Sequence, residues 1–102
     1  MYQRFIDLQQ AILDEDIETM LRLTQRSVRR VQQFQQMFAN SSSVEARIRN
    51  VSTSNATGEI YGTLVINKVI RDDGRVTGPA PELASIALIS VREGDGWSAI
   101  RW

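Results

Sequence analysis

The sequence predicts an α+β domain in which three N-terminal helices pack on one face of a curved four-stranded antiparallel sheet. Three observations lead there. At 102 residues the chain has the size of one domain with one core. The hydrophobic period changes once, near Asn40, from helical three-and-four spacing to strand alternation. Beyond that change no helical stretch separates the strand-like runs, so the crossovers a parallel sheet requires are missing and successive strands must pair antiparallel. Helices are expected over about residues 2–39 and strands over about 44–102 of a single domain spanning 1–102.

The first helix is read from Tyr2, Phe5, Ile6, Leu8, Ile12 and Leu13, an apolar stripe with Gln3, Arg4, Gln9 and Gln10 on the wet side. The acidic run Asp14-Glu15-Asp16 ends it and offers Asp16 as N-cap of a second helix, where negative charge meets the positive end of the helix dipole. Ile17, Met20 and Leu21 form that helix's buried edge. Thr24 is the expected cap of a third helix, in which Val28, Val31, Phe34 or Gln35, and Phe38 step by three and four.

Asn40-Ser41-Ser42-Ser43 competes for backbone hydrogen bonds and should break the chain between helix and strand. Val44, Ala46 and Ile48 then alternate with Glu45, Arg47 and Arg49, until Asn50-Val51 breaks phase and predicts a bulge or twist. The run from Thr57 to Ile70 places Ile60, Gly62, Leu64, Ile66 and Ile70 on one face and Tyr61, Thr63, Val65, Asn67 and Val69 on the other. Asp72-Asp73-Gly74 is a turn, and two prolines keep Gly78-Pro79-Ala80-Pro81 out of a central ladder. Leu83 to Val91 is a third strand, Glu93-Gly94-Asp95-Gly96 a tight turn, and Trp97 to Trp102 a fourth strand.

Composition narrows the chemistry. With no Cys and no His, thiol and imidazole nucleophiles and bases, disulfides and ordinary zinc or iron sites are excluded, and no cofactor or metal is implied. Net charge is zero, which argues against a polyanion partner. The charge is uneven: Arg4 faces five carboxylates in the first twenty residues, whereas Arg22, Arg26, Arg29, Arg30, Arg47 and Arg49 then meet only Glu45. The first four could form a basic edge for phosphate or an acidic partner, or simply a solvated face. No aromatic is interleaved with them, so nucleic-acid stacking has no platform. No stretch approaches the roughly 20 apolar residues that cross a bilayer, so no membrane partner is expected.

Two strands carry a further message. In Leu64-Val65-Ile66 and Ile86-Ala87-Leu88-Ile89 consecutive residues are apolar, so both sheet faces hold hydrophobic side chains although three helices can cover only one. Tyr61, Val65, Val69, Ala87, Ile89 and Trp102 would form an uncovered patch beyond what monomers usually tolerate, which predicts a two-fold homodimer through the open face.

The order of helices, the Asp16-Ile17-Glu18-Thr19-Met20-Leu21 start of helix two, the long strand pair and the closing Gly94-Asp95-Gly96-Trp97-Ser98-Ala99-Ile100 resemble the NTF2-like superfamily, the cystatin-like α+β fold related to SnoaL and ketosteroid isomerase. The resemblance spans nearly the whole chain. More narrowly, the Ser-rich link into the first strand resembles small domains appended to bacterial Ser/Thr kinases and related sensors, which would place the domain outside the cytoplasm if its parent is membrane-anchored.

The superfamily resemblance implies a cone between helices and sheet, beside which Phe5, Phe34, Phe38, Leu64, Ile86 and Trp97 are placed as pocket residues; ordinary core packing is the other reading of these six. The expected function is a non-catalytic association module that dimerises through the open sheet face and takes a small apolar ligand or partner segment in the cone. An isomerase or cyclase is the rival reading, pairing Asp7 as base with Tyr2 or Tyr61 as oxyanion donor, and a sensor domain of a bacterial signalling protein is a third.

Overall fold

The computed structural model describes residues 3–54, 56, 58–93 and 97–102, with the side chains of residues 92, 93, 97 and 98 outside that description. Helix α1 spans Gln3–Leu13 and buries Phe5, Leu8, Ala11 and Ile12. The stripe is turned relative to the sequence expectation. Leu8 lies at its centre, while Ile6 is 58% exposed and Leu13 sits at the margin. Tyr2, read as the start of the stripe, lies outside the described residues.

Helix α2, Ile17–Leu23, starts where the acidic run predicts. The Asp16 carboxylate accepts from the Thr19 backbone N–H at 3.2 Å and from the Thr19 hydroxyl at 2.7 Å. Thr24 does not cap the third helix. Its buried hydroxyl turns back and donates to the Met20 carbonyl at 2.7 Å, closing α2 instead. The chain then takes Gln25 and Arg26 through left-handed backbone (φ 54° and 58°), and Ser27 becomes the residue before α3, its hydroxyl donating to the Thr24 carbonyl. These two residues lengthen the link and move the helix start beyond Thr24.

Helix α3, Val28–Phe38, buries Val31, Phe34 and Met37. Val28 is 53% exposed, so the stripe runs 31-34-37 with Phe38 half-buried beside it. Strand β1 spans Ser41–Thr53. The serines expected to be loop are therefore in the sheet: Ser41 pairs with Arg71 and Ser43 with Ile70, so the ladder supplies the hydrogen bonds for which a serine-rich loop would compete.

Strand β2 (Ile60–Arg71) pairs with β1 on one side and with β4 (Ser85–Glu93) on the other, and β5 (Trp97–Arg101) extends the sheet beyond β4. All pairs are antiparallel. The proline-bearing return is more ordered than its composition suggests. Val76–Thr77 forms a two-residue strand, β3, against the end of β2, and Pro81–Ala84 makes one helical turn, α4, that sends Leu83 into the core. The Gly94-Asp95-Gly96 turn lies outside the described residues.

Two irregularities set which side chains face the helices. Asn50 and Val51 together oppose Gly62, with Asn50 at φ 57°, which is the expected bulge. A second slip was hidden in the alternation. Ala46 pairs with Ile66 but Glu45 with Lys68, leaving Asn67 as an extra residue. Beyond it the phase inverts: Val69 is fully buried on the helix side, paired with Val44, and Ile70 goes to the other face.

At one point the helix layer comes especially close to the sheet backbone. A Cβ built on Gly62 would stand 3.0 Å from Cε2 of Phe5 and 3.2 Å from Cγ2 of Ile48, so only glycine lets α1 lie this near β2. From there the core runs through Leu8, Ile12, Met20, Leu23, Phe34, Leu64, Leu88 and Ile100.

Two tests follow from this packing. Gly62→Val is expected to cost about 1–3 kcal/mol by overpacking, whereas Gly78→Ala, with nothing within 4 Å of its added carbon, should stay within about 0.5 kcal/mol of the parent; urea unfolding of both variants reads the difference. The Thr19 hydroxyl, then the Thr19 backbone N–H, hold the Asp16 carboxyl below its usual range, with Arg22 adding to the effect. A depressed native pKa stabilises above the unfolded value of about 3.9 and ceases to do so as pH falls through the native value. Asp16→Ala should lower Tm near neutral pH, Asp16→Asn should do so less, and the Asp16→Ala deficit should fade below about pH 4 in thermal circular dichroism.

Candidate functional site

Strand alternation leaves one face of the sheet without helices, and the register builds it row by row. Ser52, Tyr61, Ile89 and Arg101 lie side by side across β1, β2, β4 and β5. Arg49, Thr63 and Ala87 form the next row, and Arg47, Val65 and Ser85 the one after. Val91 and Ala99 pair at one end of the same face. Tyr61, Thr63, Val65, Ile89 and Val91 are half-buried by their neighbours alone, and Ala87 is exposed. Apolar groups thus run down the two central strands, with arginines on the outer ones.

The polar groups at the rim are tied locally. Tyr61 donates its hydroxyl proton to the Glu59 carboxylate. Lys68 and Glu45, cross-strand neighbours on this face, form a 3.3 Å ion pair that is nearly half exposed on both sides, worth little in stability but fixing two opposite charges beside the apolar strip.

Of the six residues expected here, Tyr61, Val65, Ala87 and Ile89 belong to the face. Val69 does not, because the Asn67 slip turns it into the core. Trp102 does not either: its ring stacks on Phe34 at 5.4 Å and 17° on the helix side. Thr63 belongs to the face as the alternation predicts, though outside the expected patch, and Ile70 and Val91 join it unannounced by the sequence. The register slip that delivers Ile70 leaves no trace in a run of alternating aliphatics.

The residues placed in a cone are core. Phe5, Phe34, Leu64 and Ile86 are 3% exposed or less, and Phe38 is half-buried with its ring 6.1 Å from that of Phe34. The Trp97 side chain lies outside the described residues. Among the described residues the buried polar ones, Thr24, Ser41 and Ser90, are all uncharged hydroxyls. Asp7 sits on α1 with its carboxylate accepting from Gln3 at 2.7 Å in an exposed pair, whereas Tyr61 points away from the helices, because its neighbour Gly62 points at Phe5. The sheet therefore separates the base and phenol that an isomerase reading would pair, and Tyr2 lies outside the described residues.

Concave surface occurs elsewhere. A groove of about 590 Å³ opens between the start of α3, α4 and Trp102, and a smaller one of about 200 Å³ lies beside Gln36, Met37 and Arg71. Among the described residues no group of three or more His, Cys, Asp or Glu is placed to hold a metal ion, and no helix is long and apolar enough to cross a membrane. Comparison with protein-family models, with curated proteins and with solved structures gave no match.

The phase inversion has a direct mutational consequence. Val69→Ser should destabilise by about 2 kcal/mol or more through lost burial and an added hydroxyl in the core, whereas Ile70→Ser should cost under about 1 kcal/mol. Chemical denaturation of the pair reads the bulge; equal losses would place both side chains on the same footing.

Proposed function

We propose that this chain is an NTF2-like association module whose task is self-pairing, two copies meeting through the open sheet face around Tyr61, Val65 and Ile89. The observation that carries the reading is the apolar strip down β2 and β4 on the side that its own helices leave uncovered. The superfamily reading draws on three consecutive N-terminal helices laid on one face of an antiparallel sheet, with the second helix opened by Asp16.

Magnitudes set the kind of association. Four strands at about 4.8 Å spacing and six paired rows at about 3.4 Å give a footprint on the order of 20 by 20 Å. That is the size of patch at which a monomer's exposed apolar surface becomes noteworthy, and at about 400 Å² per copy it falls short of a standard stable interface and lies in the range of weak, transient contacts. A dimer of micromolar rather than nanomolar strength follows. The rim suits a second copy because it carries both signs, with Arg47, Arg49, Lys68 and Arg101 beside Glu45 and Glu59, so charges need not be matched by a foreign surface.

Sedimentation velocity over roughly 1–100 µM tests the proposal. The parent should move from monomer toward dimer with concentration. Val65→Arg, which puts a charge in the middle of the strip, should weaken pairing by tenfold or more while leaving Tm within about 3 °C of the parent. A parent that stays monomeric throughout the range refutes the proposal.

A further inference from the structure

The groove between α3, α4 and Trp102 lies on the helix side of the sheet, away from the face proposed for pairing, and its chemistry is of another kind. Arg29 and Arg30, from the first turn of α3, stand on one wall. Arg30 is braced: one Nη1 hydrogen bond goes to Gln33 Oε1 at 3.0 Å and a longer one to the Glu82 carbonyl at 3.4 Å, which holds the guanidinium across the gap between α3 and α4. Arg29 makes no hydrogen bond and no ion pair among the described residues, and the ion pairs of the chain are formed by other cations. Glu82 is the one carboxylate side chain on the lining, against the two guanidinium groups of Arg29 and Arg30.

The rest of the lining is mixed: Ser27, Gln33 and Glu82 are polar, Val28 and Trp102 apolar. Val28 is exposed to 53%, an unusual condition for a valine on an amphipathic helix, and it lies in the groove. Opposite stands the Trp102 indole, stacked on Phe34 and so held in place. Its Nε1–H is buried with no acceptor in the protein. Folded chains seldom keep such an orphan donor, and each costs about 1–3 kcal/mol.

Two cations with donor forks beside an exposed valine and a fixed indole ring suit one ligand class. We propose that this groove binds a small organic carboxylate with a flat apolar body, the carboxylate held by Arg29 and Arg30 and the body lying between Val28 and Trp102. The volume of about 590 Å³ fits a molecule of this kind. Guanidinium forks match a carboxylate in two parallel hydrogen bonds, which a lysine-lined groove would not offer. Of the basic edge visible in the sequence as Arg22, Arg26, Arg29 and Arg30, the last two line this groove.

The test uses 2-naphthoate and its uncharged counterpart 2-naphthamide, titrated into the 15N-labelled protein while the Trp102 indole N–H resonance is followed, that resonance being assigned by its loss in Trp102→Phe. For a fragment of this size a dissociation constant on the order of 1 mM is expected for the acid, with the amide at least tenfold weaker. Arg29→Gln, which removes no contact within the protein, should weaken the acid about tenfold with Tm unchanged, and Arg29→Gln combined with Arg30→Gln should abolish saturation. No saturable shift up to about 10 mM acid, equal binding of acid and amide, or undiminished binding by the folded Arg29→Gln variant would each overturn the proposal. Because the pairing face is on the other side of the sheet, sedimentation of Arg29→Gln should match the parent whichever way the titration falls.

Discussion

The architecture depends on the closeness with which Phe5 of α1 approaches the backbone of Gly62. A side chain at residue 62 would push the aromatic ring away, and with it the helix. Gly62 faces the two-residue bulge at Asn50 and Val51, so the site of closest helix approach is also a site where the β1 ladder is interrupted. An interrupted ladder twists more than a regular one. Helix seat and sheet irregularity therefore arise at one place.

Everything on the covered face is consistent with a filled interior. Phe34 and Leu64 are sealed from solvent together with Leu8, Ile12 and Ile100, and the polar groups that join them are hydroxyls able to satisfy themselves locally, as Thr24 does on Met20. Among the described residues, no carboxylate or guanidinium is buried. Charge is kept at the helix ends, on the strand rims and in the α3–α4 groove. The two proposals, pairing through the sheet and capture of a carboxylate beside Trp102, accordingly concern surfaces and not the space between helices and sheet.

Trp102 shows how one stacking contact reassigns a residue's role. Read as the end of an alternating strand it faces the open side, where an aromatic would strengthen an interface. In the fold it follows β5 and swings under α3, where Phe34 offers a parallel ring at 5.4 Å. Stacking on a buried ring removes more apolar surface from water than lying on an open sheet could, and the cost is an indole N–H without an acceptor.

Helix and strand order, the Asp16 cap, the Asn50-Val51 bulge and the shortage of polar chemistry were all legible in the sequence, because each rests on local periodicity, a capping side chain or the plain absence of Cys and His. Side-chain phase beyond Asn67 was not legible, nor was the helix-side position of Trp102, the inclusion of Ser41 and Ser43 in β1, or the gathering of Arg29, Arg30 and Val28 around one groove. A register slip changes no residue type; it changes only which neighbour a residue meets, and that is settled when strands pair over distances of twenty or more residues. The sequence by itself determined that apolar side chains occupy both sheet faces. Only the tertiary structure decided which ones the helices cover, since that choice depends on where α1 can approach the backbone closely enough, and Gly62 is where it does.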